Sequence, residues 1–132
     1  FSSDPKQTVI LAWDRAINVR ELNNLLKSQL QSGRATIELL VLSACQTAKG
    51  DRRSALGIAG VAASAGARST VATLWLVDAQ STAQLMGEFY EGLKNGLSKA
   101  EALRQAQLAL LSNPKYKHPY YWLPFVLVGS WL

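Results

Sequence analysis

Cys45 is the only cysteine in the chain, and it stands where a nucleophile is easily presented. The run Leu39-Leu40-Val41-Leu42 reads as a buried strand, and it empties into Ser43-Ala44-Cys45-Gln46-Thr47-Ala48-Lys49-Gly50, a small and polar stretch suited to a loop. In open α/β sheets, reactive groups gather where strands give way to loops at their carboxyl ends. A thiol there is held by a rigid strand and can still be reached from solvent. The same position also suits a small buried apolar side chain, since free cysteines are among the most buried residue types. Position alone leaves both uses open, because thiol reactivity needs an activating partner.

The candidates for such a partner are few. His118 is the only histidine. To act as a general base it must come within about 3 Å of Cys45. To hold a metal it needs companions, and the sequence has no Cys/His cluster, so no metal site is expected. Its place before Pro119 favours a packed loop residue. Asp78 follows the apolar run Ser69 to Trp75 and therefore shares the carboxyl edge with Cys45. It also directly precedes a helical pattern from Ala79, where aspartate is a favoured N-cap. Trp75, Tyr121 and Trp122 stand at strand ends, where core packing or the edge of a groove would use them.

The elements that must position these residues follow from periodicity. Val9 to Trp13, Ile37 to Leu42, Ser69 to Trp75 and Pro124 to Val128 read as strands by apolar density and β-branching. Most lack polar alternation, as strands covered on both faces do. Asp14-Arg15-Ala16 reads as a tight turn after the first. Asn18 with Glu21 makes a capping box, Ile17 and Leu22 a hydrophobic staple, and Leu22, Leu25, Leu26 and Leu30 one apolar stripe. A second helix, from about Ser54 to Ala65, is built of small residues, which suits close approach to a sheet. Its glycines lack the G-x-G-x-x-G spacing of a dinucleotide site, and no strand leads directly into them. No cofactor is implied. A third helix spans about Ala79 to Lys94, with Leu85, Met86, Phe89, Tyr90 and Leu93 on its core face and Gly96 as its stop. Ser98 to Glu101 reads as a capping box opening a fourth helix, which Asn113-Pro114 ends. Strands alternating with helices give a mainly parallel sheet with helices on both faces.

Composition narrows the class. A chain of 132 residues is about one domain. It is 48% apolar and only 17% charged, so a sizeable core and cover on more than one side are expected. The net charge of +5 is scattered, with only Arg52 and Arg53 adjacent, which argues against nucleic acid as a partner. No apolar run reaches the about 18 residues of a membrane span, and no signal peptide is visible. A single cysteine excludes an internal disulfide and fits a reducing, cytoplasmic setting.

From Leu40-Val41-Leu42-Ser43-Ala44-Cys45-Gln46-Thr47-Ala48-Lys49-Gly50 onward the chain closely resembles the CHAT family, caspase-like domains often attached to TPR repeats. The likeness continues through Gly66-Ala67-Arg68-Ser69-Thr70-Val71-Ala72-Thr73-Leu74-Trp75-Leu76-Val77-Asp78, through Leu85 to Tyr90 and Ala102 to Gln107, and closes at His118-Pro119-Tyr120-Tyr121-Trp122-Leu123-Pro124 to Gly129. Several ordered motifs matching together make a far more specific signal than one cysteine-containing octet.

The resemblance implies a caspase-like three-layer α/β/α sandwich, related also to separase and the gingipains, and a cysteine endopeptidase acting on protein substrates. It implies Cys45 as the nucleophile of the S-A-C-Q-T motif. The family's general base is a histidine in a His-Gly pair closing an earlier strand, and that pair is expected upstream of Phe1. Residues 1–132 are thus expected to be the C-terminal portion of one CHAT domain, nearly inactive alone. Such a fragment lacks both the base and one oxyanion donor, and losing one such donor costs about a hundredfold or more in rate. By resemblance to separase-like relatives, Asp78 would line a pocket for a basic residue before the scissile bond. The expected partners are a protein substrate and attached TPR repeats or a regulatory protein, with neither nucleic acid nor membrane. The alternative is a catalytically inactive interaction module that keeps the caspase fold.

Overall fold

The computed structural model describes residues 9–11, 16–31, 36–42, 60, 62, 63 and 66–132. In chain order they form β1 (Val9–Leu11), β2 (Ala16–Asn18), α1 (Val19–Gln31), β3 (Leu40–Leu42), β4 (Ser69–Thr73), α2 (Ala79–Lys94), α3 (Lys99–Ser112), a single 3-10 turn (Pro119–Tyr121) and β5 (Phe125–Gly129). Residues 60, 62 and 63 are helical, and the rest of the expected small-residue helix lies outside the described residues.

The main sheet has the order β3-β4-β5. β3 runs parallel to β4 in the register Leu40↔Thr70, Val41↔Val71 and Leu42↔Ala72. β5 runs antiparallel to β4, from Ser69↔Gly129 to Thr73↔Phe125. Among the described strands, β3–β4 is thus the single parallel pairing, where alternation of strands and helices suggested a mainly parallel sheet. The strand β5 departs because α2 and α3 form a helical hairpin between β4 and β5. Two antiparallel helices return the chain to the end of the sheet from which it left, so the next strand enters reversed.

The first strand also differs from expectation. β1 pairs antiparallel with β2 in a separate two-stranded sheet. Ala16 opens β2 instead of closing a turn, and Trp13, Asp14 and Arg15 lie outside the described residues. A strand this short leaves no alternation to read. Asn18 is at once the last residue of β2 and the cap of α1.

Local capping explains where the helices begin and end. Asn18 Oδ1 accepts from the Glu21 amide at 2.9 Å, and the Asn18 amide donates to Glu21 Oε2 at 3.1 Å, so this capping box closes in both directions. The box at Ser98 closes in one direction only. Ser98 Oγ accepts from the Glu101 amide at 3.3 Å, but the Glu101 carboxylate turns to Arg104 and Gln105 instead. Hydrogen bonds from Arg104, then from Gln105, hold the Glu101 carboxyl below its ordinary range. α2 ends in a Schellman motif: the Gly96 amide reaches the Leu93 carbonyl, the Leu97 amide reaches the Gly92 carbonyl, and Gly96 has φ +84°.

The core divides around the sheet. Val71, Leu85, Phe89, Ala102, Leu103, Ala106, Leu110, Tyr116 and Phe125 form one cluster, with Val41 packed against it. Leu26, Ala62 and Ala67 form a second, with Leu22, Ile37 and Leu40 against it. Successive residues of a strand point to opposite faces, so Leu40 and Val41 joining different clusters puts apolar cover on both faces of β3. α2 and α3 approach closely at Gly92, where an added Cβ would lie 3.0 Å from that of Ala102.

At the amino end of β4, Arg68 is a point of closure. Its carbonyl accepts from the Ser130 amide at 2.8 Å, and its guanidinium meets Glu38 at 3.2 Å. Gly129 crosses directly over that carbonyl with φ +104°, and a Cβ there would collide with the Arg68 carbonyl oxygen. Gly129→Ala should therefore destabilise the fold by about 1–3 kcal/mol or more, from the backbone conformation before the collision is added. Urea denaturation measures this. Gly87→Ala is the matched control, because a Cβ at Gly87 meets nothing within 4 Å.

Candidate functional site

β3 and β4 present their carboxyl ends side by side, because they are parallel and in register at Leu42↔Ala72. Cys45 follows Leu42 closely in sequence and lies outside the described residues. Beside the carboxyl end of β3 stand β4, the segment after it and the turn before β5.

Beyond Thr73 the pairing with the β5 side continues for one more bond, from the Leu74 amide to the Pro124 carbonyl at 3.0 Å. Proline has no amide to give to a ladder, so β5 proper begins at Phe125, while the Pro124 carbonyl still serves. Trp75 Nε1 donates to the Tyr120 carbonyl at 3.2 Å, which fastens the 3-10 turn to the end of β4. Tyr120 meets Tyr121, and Tyr121 meets Tyr116, edge to face with ring centroids 5.4 Å apart. Tyr121 and Trp122 pack against the main cluster, whereas Leu76, Tyr120 and Leu123 remain exposed.

Asp78 is half-buried at the start of α2 and is its N-cap. Its Oδ1 accepts from the Ser81 amide at 2.9 Å. Its carbonyl accepts from Thr82 Oγ1 at 2.7 Å and Ser81 Oγ at 3.1 Å. One carboxylate oxygen is thereby committed to the helix.

His118 is exposed and caps the 3-10 turn, its Nδ1 accepting from the Tyr120 amide at 3.2 Å. The Nδ1 lone pair is thereby engaged by the backbone of its own turn. The histidine is occupied in holding the turn to which Trp75 is tied.

Gln107, which the sequence offers only within the stretch Ala102 to Gln107, joins the corner before β5 to the core. Its Nε2 donates to the carbonyls of Trp122 at 3.1 Å and Phe125 at 3.0 Å. One amide group on α3 thus fixes both ends of the Leu123-Pro124 corner. A half-buried glutamine on an otherwise apolar helix face was the available signal. Among the described residues, no group of three or more His, Cys, Asp and Glu side chains is placed to hold a metal, and no helix is long and apolar enough to cross a membrane.

Residues 2–130 match the family described as the CHAT domain, and the chain belongs to that family. It is similar to human tetratricopeptide repeat protein 28, with 35% identity over 66 residues; the match covers 50% of this chain and 3% of that protein. The chain thus corresponds to a small fraction of the curated relative's length. No solved structure matches the chain at a significant level.

Gln107→Met keeps the length and most of the volume of the side chain but removes its donors. It should lower stability by about 1–3 kcal/mol, the range for leaving buried polar partners unsatisfied. Guanidinium denaturation checks this, and a change in tryptophan emission of the folded variant would report whether the corner moves with it.

Proposed function

We propose that this chain is the C-terminal part of a caspase-like CHAT domain whose activity, in the whole protein, is hydrolysis of peptide bonds in protein substrates. Cys45 is the nucleophile, working with a histidine outside this sequence in a Cys-His dyad. The observation that carries the reading is the family match across residues 2–130, which includes the Ser43-Ala44-Cys45-Gln46-Thr47 run. Two structural facts support it. The parallel β3–β4 pair delivers the chain to a carboxyl edge just before Cys45. His118 caps its own turn, which fits a positioning use of this histidine.

The chemistry requires a second group because a free cysteine, with a pKa of about 8.5, is only a few per cent thiolate at neutral pH. A histidine beside it raises that fraction and later protonates the leaving amine. The Cys45 amide would supply one oxyanion donor. The proposed architecture is a three-layer sandwich, with apolar clusters against both faces of β3 as its visible part and further parallel strands beyond β3.

Asp78 is proposed to receive an arginine or lysine side chain before the scissile bond. Because Oδ1 serves the cap, recognition falls to Oδ2, and the pair is single-pronged instead of bidentate. TPR repeats attached to the domain are proposed to bring the substrate, following the repeat protein to which the chain is similar. The proposed setting is cytoplasmic.

In the full-length protein, Cys45→Ala should lower cleavage of an arginine-containing peptide on the order of a thousandfold or more while the melting temperature holds. Undiminished cleavage by that variant would refute the nucleophile, and no cleavage by the wild type with any substrate would leave an interaction module. Asp78→Asn keeps the cap, since Asn and Asp cap about equally well. Its expected signature is about a tenfold or greater loss of kcat/KM on basic substrates with an unchanged Tm. Equal kcat/KM in variant and wild type would return Asp78 to capping alone.

A further inference from the structure

β5 lies at the edge of its sheet: it pairs with β4 on one side and with no other described strand. The hydrogen bonds at the two ends of this ladder fix which way each residue turns. The Leu74 amide reaches the Pro124 carbonyl beyond one end, and the Ser130 amide reaches the Arg68 carbonyl beyond the other. In an antiparallel ladder, hydrogen-bonded and non-hydrogen-bonded pairs alternate. Val126 and Val128 therefore turn their amides and carbonyls to β4, whereas Phe125, Leu127 and Gly129 turn theirs to the open edge. The Phe125 carbonyl is taken by Gln107. The Leu127 amide and carbonyl have no partner among the described residues.

Folded proteins blunt such an edge with charge, proline or a bulge. Here no Asp, Glu, Lys or Arg follows Lys117 in the sequence. Pro124 precedes the strand and by parity faces β4, so it blocks no outward amide. Val126, Leu127 and Val128 are only half-buried, and neither valine belongs to an apolar cluster. Leu123 before the strand and Trp131 after it are exposed. An apolar edge left in this state is a template for another strand.

The edge is its own complement. Turned end for end about Leu127, the run Val126-Leu127-Val128 reads the same, while Phe125 exchanges with Gly129 and Leu123 with Trp131. We propose that β5 pairs antiparallel with β5 of a second copy of this chain, about a twofold axis at Leu127, and joins the two sheets into one. The two Leu127 residues then exchange amide and carbonyl across the axis, as a hydrogen-bonded antiparallel pair does. Val126 of each copy faces Val128 of the other, a β-branched cross-strand pair. Leu123 of each copy is carried toward Trp131 of the other, which adds apolar area beyond the strands themselves. A twofold interface requires that one patch complement itself, and this register meets that condition. The inference uses nothing from the reading of Cys45.

The test is sedimentation velocity of the full-length protein, with far-UV circular dichroism as the control for folding. The wild type should sediment as a dimer at about micromolar concentration. Val126→Lys with Val128→Lys sets like charges opposite each other and should weaken the dimer by about a hundredfold or more. Val126→Lys with Val128→Glu sets each lysine opposite a glutamate and should restore it. A parallel pairing, or one displaced along the strand, would instead oppose like charges. Hydrogen exchange of the wild type needs no substitution: the Leu127 amide should exchange about tenfold or more faster once dilution has separated the copies. A wild type that stays monomeric at about 100 μM overturns the proposal. So does an oligomer that the folded lysine variant leaves intact, or a lysine–glutamate variant that fails to dimerise. A Leu127 amide equally protected at every dilution also overturns it, because another segment or a different protein then covers the edge.

Discussion

The described structure depends on β4 being paired on both sides. All five of its residues are buried, and its ladder is shared between β3 on one side and β5 on the other. A backbone stripped of water must find every partner within the protein. The ladders to both neighbours supply such partners, and the strand becomes the fixed axis for the segments that leave its carboxyl end. Thr73 leads within a few residues to the cap of α2, so the direction of that helix is set by the strand's end. The parallel neighbour then sets where the chain bearing Cys45 departs.

The two ends of β4 are secured by different means. At the amino end the closure is steric and electrostatic. Gly129 lies over the Arg68 carbonyl, and Glu38 sits between Arg68 and Lys99, the latter at 3.7 Å and only 12% exposed. Exposed ion pairs contribute little, so the glycine crossing and the Ser130–Arg68 hydrogen bond carry most of this closure. At the carboxyl end the fastening is by directed hydrogen bonds between side chains and backbone carbonyls: Trp75 to Tyr120, and Gln107 to Trp122 and Phe125. Such bonds fix orientation as well as distance. The carboxyl edge is thus fixed in direction, whereas the amino edge is only held closed.

Much of this was legible in the sequence where a local rule decides the matter. The limits of α2 follow from Asp78 and Gly96, and those limits are the ones observed. The cap at Asn18 was legible for the same reason. Pairing was less so. β2 is too short to show a period, and the reversed direction of β5 comes from the helical hairpin before it, a tertiary consequence that no window of residues contains. The half-closed box at Ser98 shows a local rule losing to competition, because Glu101 has Arg104 one turn along the same helix face and takes the charged partner. At the site, the nature of Asp78 as a cap could be read from its neighbours. The role of Gln107 could not, because its partners are carbonyls far along the chain.

Several apolar side chains at the carboxyl edge are exposed. Leu76, Tyr120 and Leu123 are 48%, 42% and 48% exposed, although the segment after β4 and the turn before β5 are tied together by hydrogen bonds. Scattered exposed apolar residues need no explanation, but these three flank the Trp75–Tyr120 tie and so stand on a backbone that is held in place. The hydrogen bonds that position the edge thus also prepare the surface around it, and α3, through a single glutamine, contributes to both.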